Sequence, residues 1–299
     1  MSKNPLTSLL EWQQPLLFKA IHSILVKERR SHAYLFTGGF ASWEMALWMT
    51  QFQFCEVTDS PTPCGQCRSC RLVADCDFTD LAILEPSNGT IKTDDVRSLL
   101  HRFSSTSFEG KDQVVIIKEA DKMHPNAANS LLKVMEEPQS HIYLILLVND
   151  DNHLLPTIKS RCQLFHFKKN EMILVEALEK KGLLKNQASL LASYSVSLQQ
   201  AETLADDQKV LQLISVLEPY SQLALTNKER AYLEVSRLAN LAKEKELQDM
   251  TFQLLIALFG KALEQEKALA LLDAIDLARD MWQHNVSFQN ALEYMIINS

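Results

Sequence analysis

Ser31-His32-Ala33-Tyr34-Leu35-Phe36-Thr37-Gly38-Gly39-Phe40-Ala41-Ser42-Trp43-Glu44-Met45 is the stretch on which the reading of this chain turns. An apolar run, two glycines and then a helix-forming segment predict a strand, a tight loop and a helix. Four further runs resemble the first: Leu81–Leu84, Val114–Ile117, Tyr143–Val148 and Gln163–Phe167. Most are apolar on both faces, and helical segments separate them. Strands of that kind are buried on both sides, as in a parallel α/β sheet.

The loop after the first strand has the position and context of a phosphate-binding loop, G-x-x-x-x-G-K-[ST]. Such a loop uses a second glycine so that backbone N–H groups can wrap the phosphates. It uses a lysine for the outer phosphates and a hydroxyl for magnesium. Here Gly38 stands at the first glycine, but Trp43, Glu44 and Met45 occupy the other three positions. A carboxylate repels a triphosphate, and an indole fills space the phosphates need. An ordinary strand-to-helix loop remains the alternative on the loop alone. The third strand runs into Lys118-Glu119-Ala120-Asp121, with Lys118 where a nucleotide hydrolase places its magnesium-binding aspartate. A cation cannot ligate magnesium.

Pro125-Asn126-Ala127-Ala128-Asn129-Ser130-Leu131-Leu132-Lys133-Val134-Met135-Glu136-Glu137-Pro138 predicts a helix opened by one proline and closed by another. Leu131, Leu132 and Met135 lie on one helical face, a pattern of core packing.

Cys55, Cys64, Cys67 and Cys70 form C-x8-C-x2-C-x2-C. A C-x2-C turn presents two sulfurs to one ion, and zinc takes four thiolates in a tetrahedron. Gly65 permits the tight backbone, while Pro61 and Pro63 stiffen the approach. The spacing predicts one structural zinc ion, with no coordination position left for a substrate. Buried or redox-active thiols are the alternative. Cys76 is a spare cysteine that could replace one of the four.

The 299 residues leave room for about two or three domains. Eight of nine prolines, five of seven glycines and all six cysteines precede residue 168. Beyond it the chain is rich in Leu, Ala, Glu, Lys and Gln and reads as helices, in blocks of about 170–208 and 209–299. The apolar faces of Thr251–Arg279 suit either a domain core or an oligomer interface. An apolar fraction of 46% excludes wholesale disorder. A net charge of -7 excludes a protein that grips nucleic acid over its whole surface. No apolar run reaches about 18 residues, so no membrane span is expected. The N-terminus shows no secretory signal pattern, and the expected compartment is the cytoplasm.

Several motifs together make the chain resemble the AAA+ clamp-loader family of bacterial replication. They are Ser31–Gly38, the cysteine module after the first helix, Ile116-Ile117-Lys118-Glu119-Ala120-Asp121-Lys122-Met123, Asn129–Pro138, and Leu154-Leu155-Pro156-Thr157-Ile158-Lys159-Ser160-Arg161-Cys162. Specific motifs cover about residues 1–168; the helical remainder matches by architecture.

The resemblance implies an α/β plus all-α chain. Residues 1–168 would be a RecA-like AAA+ domain with a zinc module at about 55–76. Residues 169–208 would be a small helical lid, and 209–299 a helical collar for oligomerisation. It implies a component of the DNA polymerase III holoenzyme with no ATPase activity of its own, the stator of the clamp loader. Its partners would be the tau/gamma and delta subunits in a hetero-pentameric ring, the sliding clamp indirectly, and primed DNA through the assembled ring, with no membrane. No nucleotide cofactor is expected: Gly38, Trp43, Glu44 and Met45 would be a degenerate P-loop, and Lys118 and Glu119 a degenerate Walker B segment.

Arg161 would be an arginine finger acting in trans on a neighbour's ATP, because a planar guanidinium contacts two phosphate oxygens at once. Asn149 falls at the family's sensor position, and Cys162 reads as a small buried residue. Arg97 and Arg102, with Ser104–Ser107, are candidate DNA-backbone contacts; the alternative is a solvated amphipathic helix. Two other functions compete. One is an active AAA+ ATPase of the tau/gamma type, against which Glu44 and Lys118 argue. The other is a zinc-dependent nucleic-acid binder working outside any ring, against which the charge argues.

Overall fold

The computed structural model describes residues 3–27, 30–105, 112–136, 141–150, 152 and 154–299. It divides into two compact units, Met1–Lys169 and Asn170–Ser299. The first begins with helices α1 (Pro5–Gln13) and α2 (Pro15–Val26). Then come β1 (Ala33–Thr37), α3 (Ser42–Phe54), α4 (Arg68–Ala74), β2 (Leu81–Leu84), α5 (Thr93–Ser105) and β3 (Asp112–Ile117). A 3-10 turn at Ala120–Lys122 leads to α6 (Pro125–Glu136), β4 (His141–Val148), α7 (Pro156–Lys159) and β5 (Gln163–His166). The five strands form one parallel sheet in the order β2-β3-β4-β1-β5.

The period-2 alternation of a strand sends successive side chains to opposite faces. On one face Tyr34, Phe36, Val114, Ile116, Ile145 and Leu147 pack under α1–α3. On the other, Ala33, Leu35, Val115, Ile117, Leu144 and Leu146 pack against α5 and α6. The edge strand β5 shows only half-buried and exposed positions in alternation. It therefore differs from the buried run its composition suggests.

The N-terminal helices are tied beneath the β1–α3 loop. Trp48 is fully buried, and its indole N–H donates to Thr7 Oγ1 at 2.8 Å. Gln14 Nε2 donates to the carbonyls of Phe40 (3.0 Å) and Lys168 (2.9 Å), which holds the loop against the end of the unit.

Gly38 has φ +86, and a Cβ there would lie 2.3 Å from the Phe167 carbonyl oxygen. The close approach of chain leaving β5 thus requires glycine at 38 whatever the loop binds. Gly38→Ala should cost about 3 kcal/mol from left-handed strain and overpacking, read as a lower urea midpoint at unchanged slope.

The second unit is helical: α8 (Glu171–Lys180), α9 (Lys185–Tyr194), α10 (Leu198–Ala205), α11 (Gln208–Thr226), α12 (Lys228–Leu241), α13 (Lys245–Lys261), α14 (Glu266–Gln283) and α15 (Phe288–Asn298). Helix α9 packs on both α11 and α13. The expected boundary between a lid and a collar at 208–209 therefore falls inside one packed unit. Phe252, Leu255 and Phe259 are buried there, whereas Leu263, Leu269 and Leu277 are exposed. The long apolar stretch at 251–279 thus serves mainly as core. Among the described residues no helix is long and apolar enough to cross a membrane.

Candidate functional site

In a parallel sheet the carboxyl ends of the strands gather on one edge, where open α/β folds bind ligands. Gly38 follows β1, Glu85 follows β2, Lys118 follows β3 and Asn149 follows β4. The Gly38 N–H donates to the Val148 carbonyl at 2.9 Å, and the Lys118 N–H to the Leu84 carbonyl at 2.9 Å.

The residues read from the loop lie at this edge. Phe40 and Met45 are buried in the core, so the position of a magnesium-binding hydroxyl holds a thioether turned inward. The Lys118 ammonium lies 4.0 Å from the centre of the Trp43 ring and ion-pairs with Glu85. A cation over an indole face is attracted by the ring quadrupole. The residues standing at the second glycine and at the magnesium aspartate are therefore in contact with each other. The backbone is left-handed at Ala41 (φ 67), two residues before Trp43, and at Glu119 (φ 47), directly after Lys118. Asn149 is exposed at the end of β4.

Desolvation pushes the half-buried Glu44 carboxyl above the usual carboxylate range, against its own backbone N–H, which favours the charged form. Folding therefore favours the protonated form. Glu44 contributes stability below the ordinary carboxylate range and loses that contribution as pH rises through the raised value. Glu44→Gln is expected to melt higher than the parent chain at pH 7, with the difference vanishing near pH 4. A Gln variant that melts lower at pH 7 would contradict this.

Cys55, Cys64, Cys67 and Cys70 form one cluster with all Sγ atoms within 4.8 Å of one another. Zinc–sulfur bonds of about 2.3 Å in a tetrahedron set the sulfurs about 3.8 Å apart, so the cluster can close on one ion. Backbone N–H groups already point at the sulfurs: Cys64 to Cys55 Sγ (3.3 Å), Cys67 to Cys64 Sγ (3.3 Å) and Cys70 to Cys67 Sγ (3.4 Å). Burial opposes ionisation of Cys64, but the N–H groups of Gln66 and Cys67 outweigh it and bring its thiol down to about 7. Burial pushes Cys70 the other way. A coordinated ion would deprotonate all four.

The module is anchored by Asn4, which sequence reasoning passed over. Its Nδ2 donates to Gln51 Oε1 (2.8 Å) and to the Pro63 carbonyl (3.1 Å), and Gln51 Nε2 donates to the Cys70 carbonyl (2.8 Å). Gly65, at φ +69, leaves room for Asn4, whose side chain a Cβ would meet at 2.8 Å. Cys76 stands outside the cluster. It is exposed, with φ 59, and ends α4 as a left-handed residue whose N–H donates to the Val73 carbonyl.

Arg161 follows α7, with its side chain 37% exposed. Nη2 pairs with Glu136 Oε1 at 2.6 Å, while Nη1 donates to the Thr157 carbonyl (3.0 Å) and to Ser160 Oγ (3.3 Å). The neighbouring Cys162 is half-buried, and burial pushes its thiol up to about 12. Arg97 is exposed on α5. The Arg102 side chain, Thr106, Ser107, Glu137 and Pro138 lie outside the described residues.

The parallel sheet, its strand order and the loop-bearing edge define an AAA+ fold. A DNA polymerase III gamma subunit-related protein from Thermotoga maritima shares it, with a TM-score of 0.53 at 16% identity over 93% of this chain and 97% of that one. The family model described as DNA polymerase III, delta subunit, matches residues 13–171. DNA polymerase III subunit delta' of Bacillus subtilis is 30% identical over 84% of this chain and 77% of its own length. DNA polymerase III subunit tau of Escherichia coli is 35% identical over 47% of this chain, though over only 22% of its own length. The chain belongs to the delta-prime family of DNA polymerase III clamp-loader subunits.

Proposed function

We propose that the chain is the non-catalytic stator of the clamp loader. It would assemble with tau/gamma and delta subunits in a hetero-pentameric ring that loads the sliding clamp on primed DNA. It would also supply Arg161 in trans to a neighbour's ATP site. The observation that carries the stator reading is the contact of Lys118 with Trp43. The two positions where a working site would hold magnesium and wrap phosphate hold a cation and an indole stacked on each other, and Glu85 neutralises the cation. Gly38, Trp43, Glu44 and Met45 are then a degenerate P-loop, and Lys118 and Glu119 a degenerate Walker B segment.

Asn149, with no phosphate to sense, is structural in this reading. Residues 169–208 act as lid and 209–299 as collar, although they pack as one unit in the isolated chain. The four-cysteine cluster holds zinc, which four sulfurs suit better than the oxygen-preferring cations. Any DNA contact by Arg97 or Arg102 is made to phosphates and depends on the assembled ring.

Arg161 fits a finger because it is exposed and its guanidinium plane is already held. The test is the DNA-stimulated ATPase of the reconstituted loader, with the parent chain and with Arg161→Ala, beside the chain alone. The active-ATPase reading makes the opposite claim, that the isolated chain binds and hydrolyses ATP.

A further inference from the structure

We propose that Glu136 is a positioning residue for the Arg161 finger: its carboxylate fixes the guanidinium in the orientation from which it meets a neighbouring subunit's phosphates. The proposal rests on the finger reading given above.

An arginine at a surface ordinarily samples many rotamers, and a finger that must be ordered at each encounter loses rate to that search. Here the fork is gripped from two elements. The last residue of α6 holds Nη2 at 2.6 Å, while Thr157 of α7 and Ser160 just beyond it hold Nη1. Both supporting helices are anchored in the core. Leu131 of α6 and Ile158 of α7 are fully buried and belong to the same core cluster. A guanidinium carries five N–H donors. Among the described residues these acceptors occupy three, which leaves donors for phosphate oxygens.

The pair is also exchangeable. Its side chains are 37% and 52% exposed, and an ion pair that open to water holds weakly against a more highly charged phosphate. Glu136 therefore sets orientation without sequestering the finger. Neither the apolar helix pattern nor the cysteine spacing pointed to it, because the contact joins the end of α6 to the loop between α7 and β5.

The experiment is a double-variant cycle in the reconstituted loader: parent chain, Glu136→Ala, Arg161→Ala and both together, with ATP hydrolysis measured against ATP concentration. Glu136→Ala is expected to lower kcat roughly three- to tenfold with KM unchanged. The double variant should be no slower than Arg161→Ala alone, because Glu136 acts through Arg161. Glu136→Gln, which keeps an acceptor of the same reach, should recover most of the loss.

A second readout needs no ring. In the isolated chain labelled with 15N-arginine, the Arg161 guanidinium signals should show restricted rotation that Glu136→Ala releases. If Glu136→Ala leaves both kcat and rotation unchanged while Arg161→Ala is slow, the positioning role is wrong and the finger stands. If Glu136→Ala slows the Arg161→Ala loader further, Glu136 acts elsewhere and the proposal falls. If Arg161→Ala itself changes nothing in an intact ring, the finger reading fails and takes this inference with it.

Discussion

Arg161→Ala is expected to slow DNA-stimulated ATP hydrolysis by the reconstituted loader at least about tenfold, with ring assembly intact. In other phosphoryl-transfer systems a finger is worth about 10³–10⁵ in rate at the site it serves. A tenfold bulk loss means that the ATP sites of the ring turn over in concert, so that the one slowed site sets the pace. The charge argument gives the direction: the γ-phosphoryl oxygens share spreading charge in the transition state, and a guanidinium stabilises that state more than the ground state. Lost folding cannot imitate the result, because an exposed pair such as Arg161–Glu136 contributes about 0–1 kcal/mol of stability. An unchanged rate in a fully assembled ring would make Arg161 a structural residue. Hydrolysis by the chain alone would overturn the reading of Trp43, Glu44 and Lys118.

Metal removal has the second large expected effect. Purified chain should carry about one equivalent of zinc, and a strong chelator or Cys70→Ser should destabilise the Met1–Lys169 unit by about 4 kcal/mol or more. Cys70 is fully buried, and its carbonyl accepts from Gln51, which is bonded in turn to Asn4 at the cap of α1. Loss of the ion therefore loosens α1 and α3 as well as the module. Melting curves and metal analysis measure both quantities, with Cys76→Ser as the control that should change neither. Less than half an equivalent of zinc, or a melting point indifferent to chelation, would reject the site.

The parts of the molecule legible in the sequence were those whose causes are local. All five apolar runs became strands. For β1 to β4 burial on both faces needs only a short run, whereas the edge strand β5 is paired on one side and half open; β3 and β4 begin two residues earlier than the runs suggested, and β5 ends one residue sooner. The cysteine tetrad was legible because its turn spacing is itself the geometry of the site.

What escaped was long-range. Asn4 and Gln14 are unremarkable polar residues until the chain returns past Pro63 and Lys168. The stacking of Lys118 on Trp43 was invisible: the substitutions announced themselves separately as losses, and nothing in either segment said that they touch. Gly38 is overdetermined. The motif suggested phosphate, whereas the approach of Phe167 alone demands glycine. Glu136 looked like an ordinary helix end, because nothing in either segment said that it meets Arg161.

In the stator reading, the Trp43–Lys118–Glu85 contact also bears on whether such a subunit could regain hydrolysis by stepwise substitution. Aspartate at 118 alone would remove the cation from the indole face and set two carboxylates side by side with no metal to share. Glycine at 43 alone would strip the ammonium of its aromatic cover while a glutamate still stood at position 44, where a working loop has its lysine. Each first step toward an active site is therefore worse than standing still, and the gain appears only when several changes arrive together. In the stator reading the chain is therefore ratcheted: changes can refine its service to a neighbour's catalysis, but single substitutions do not lead it back to its own.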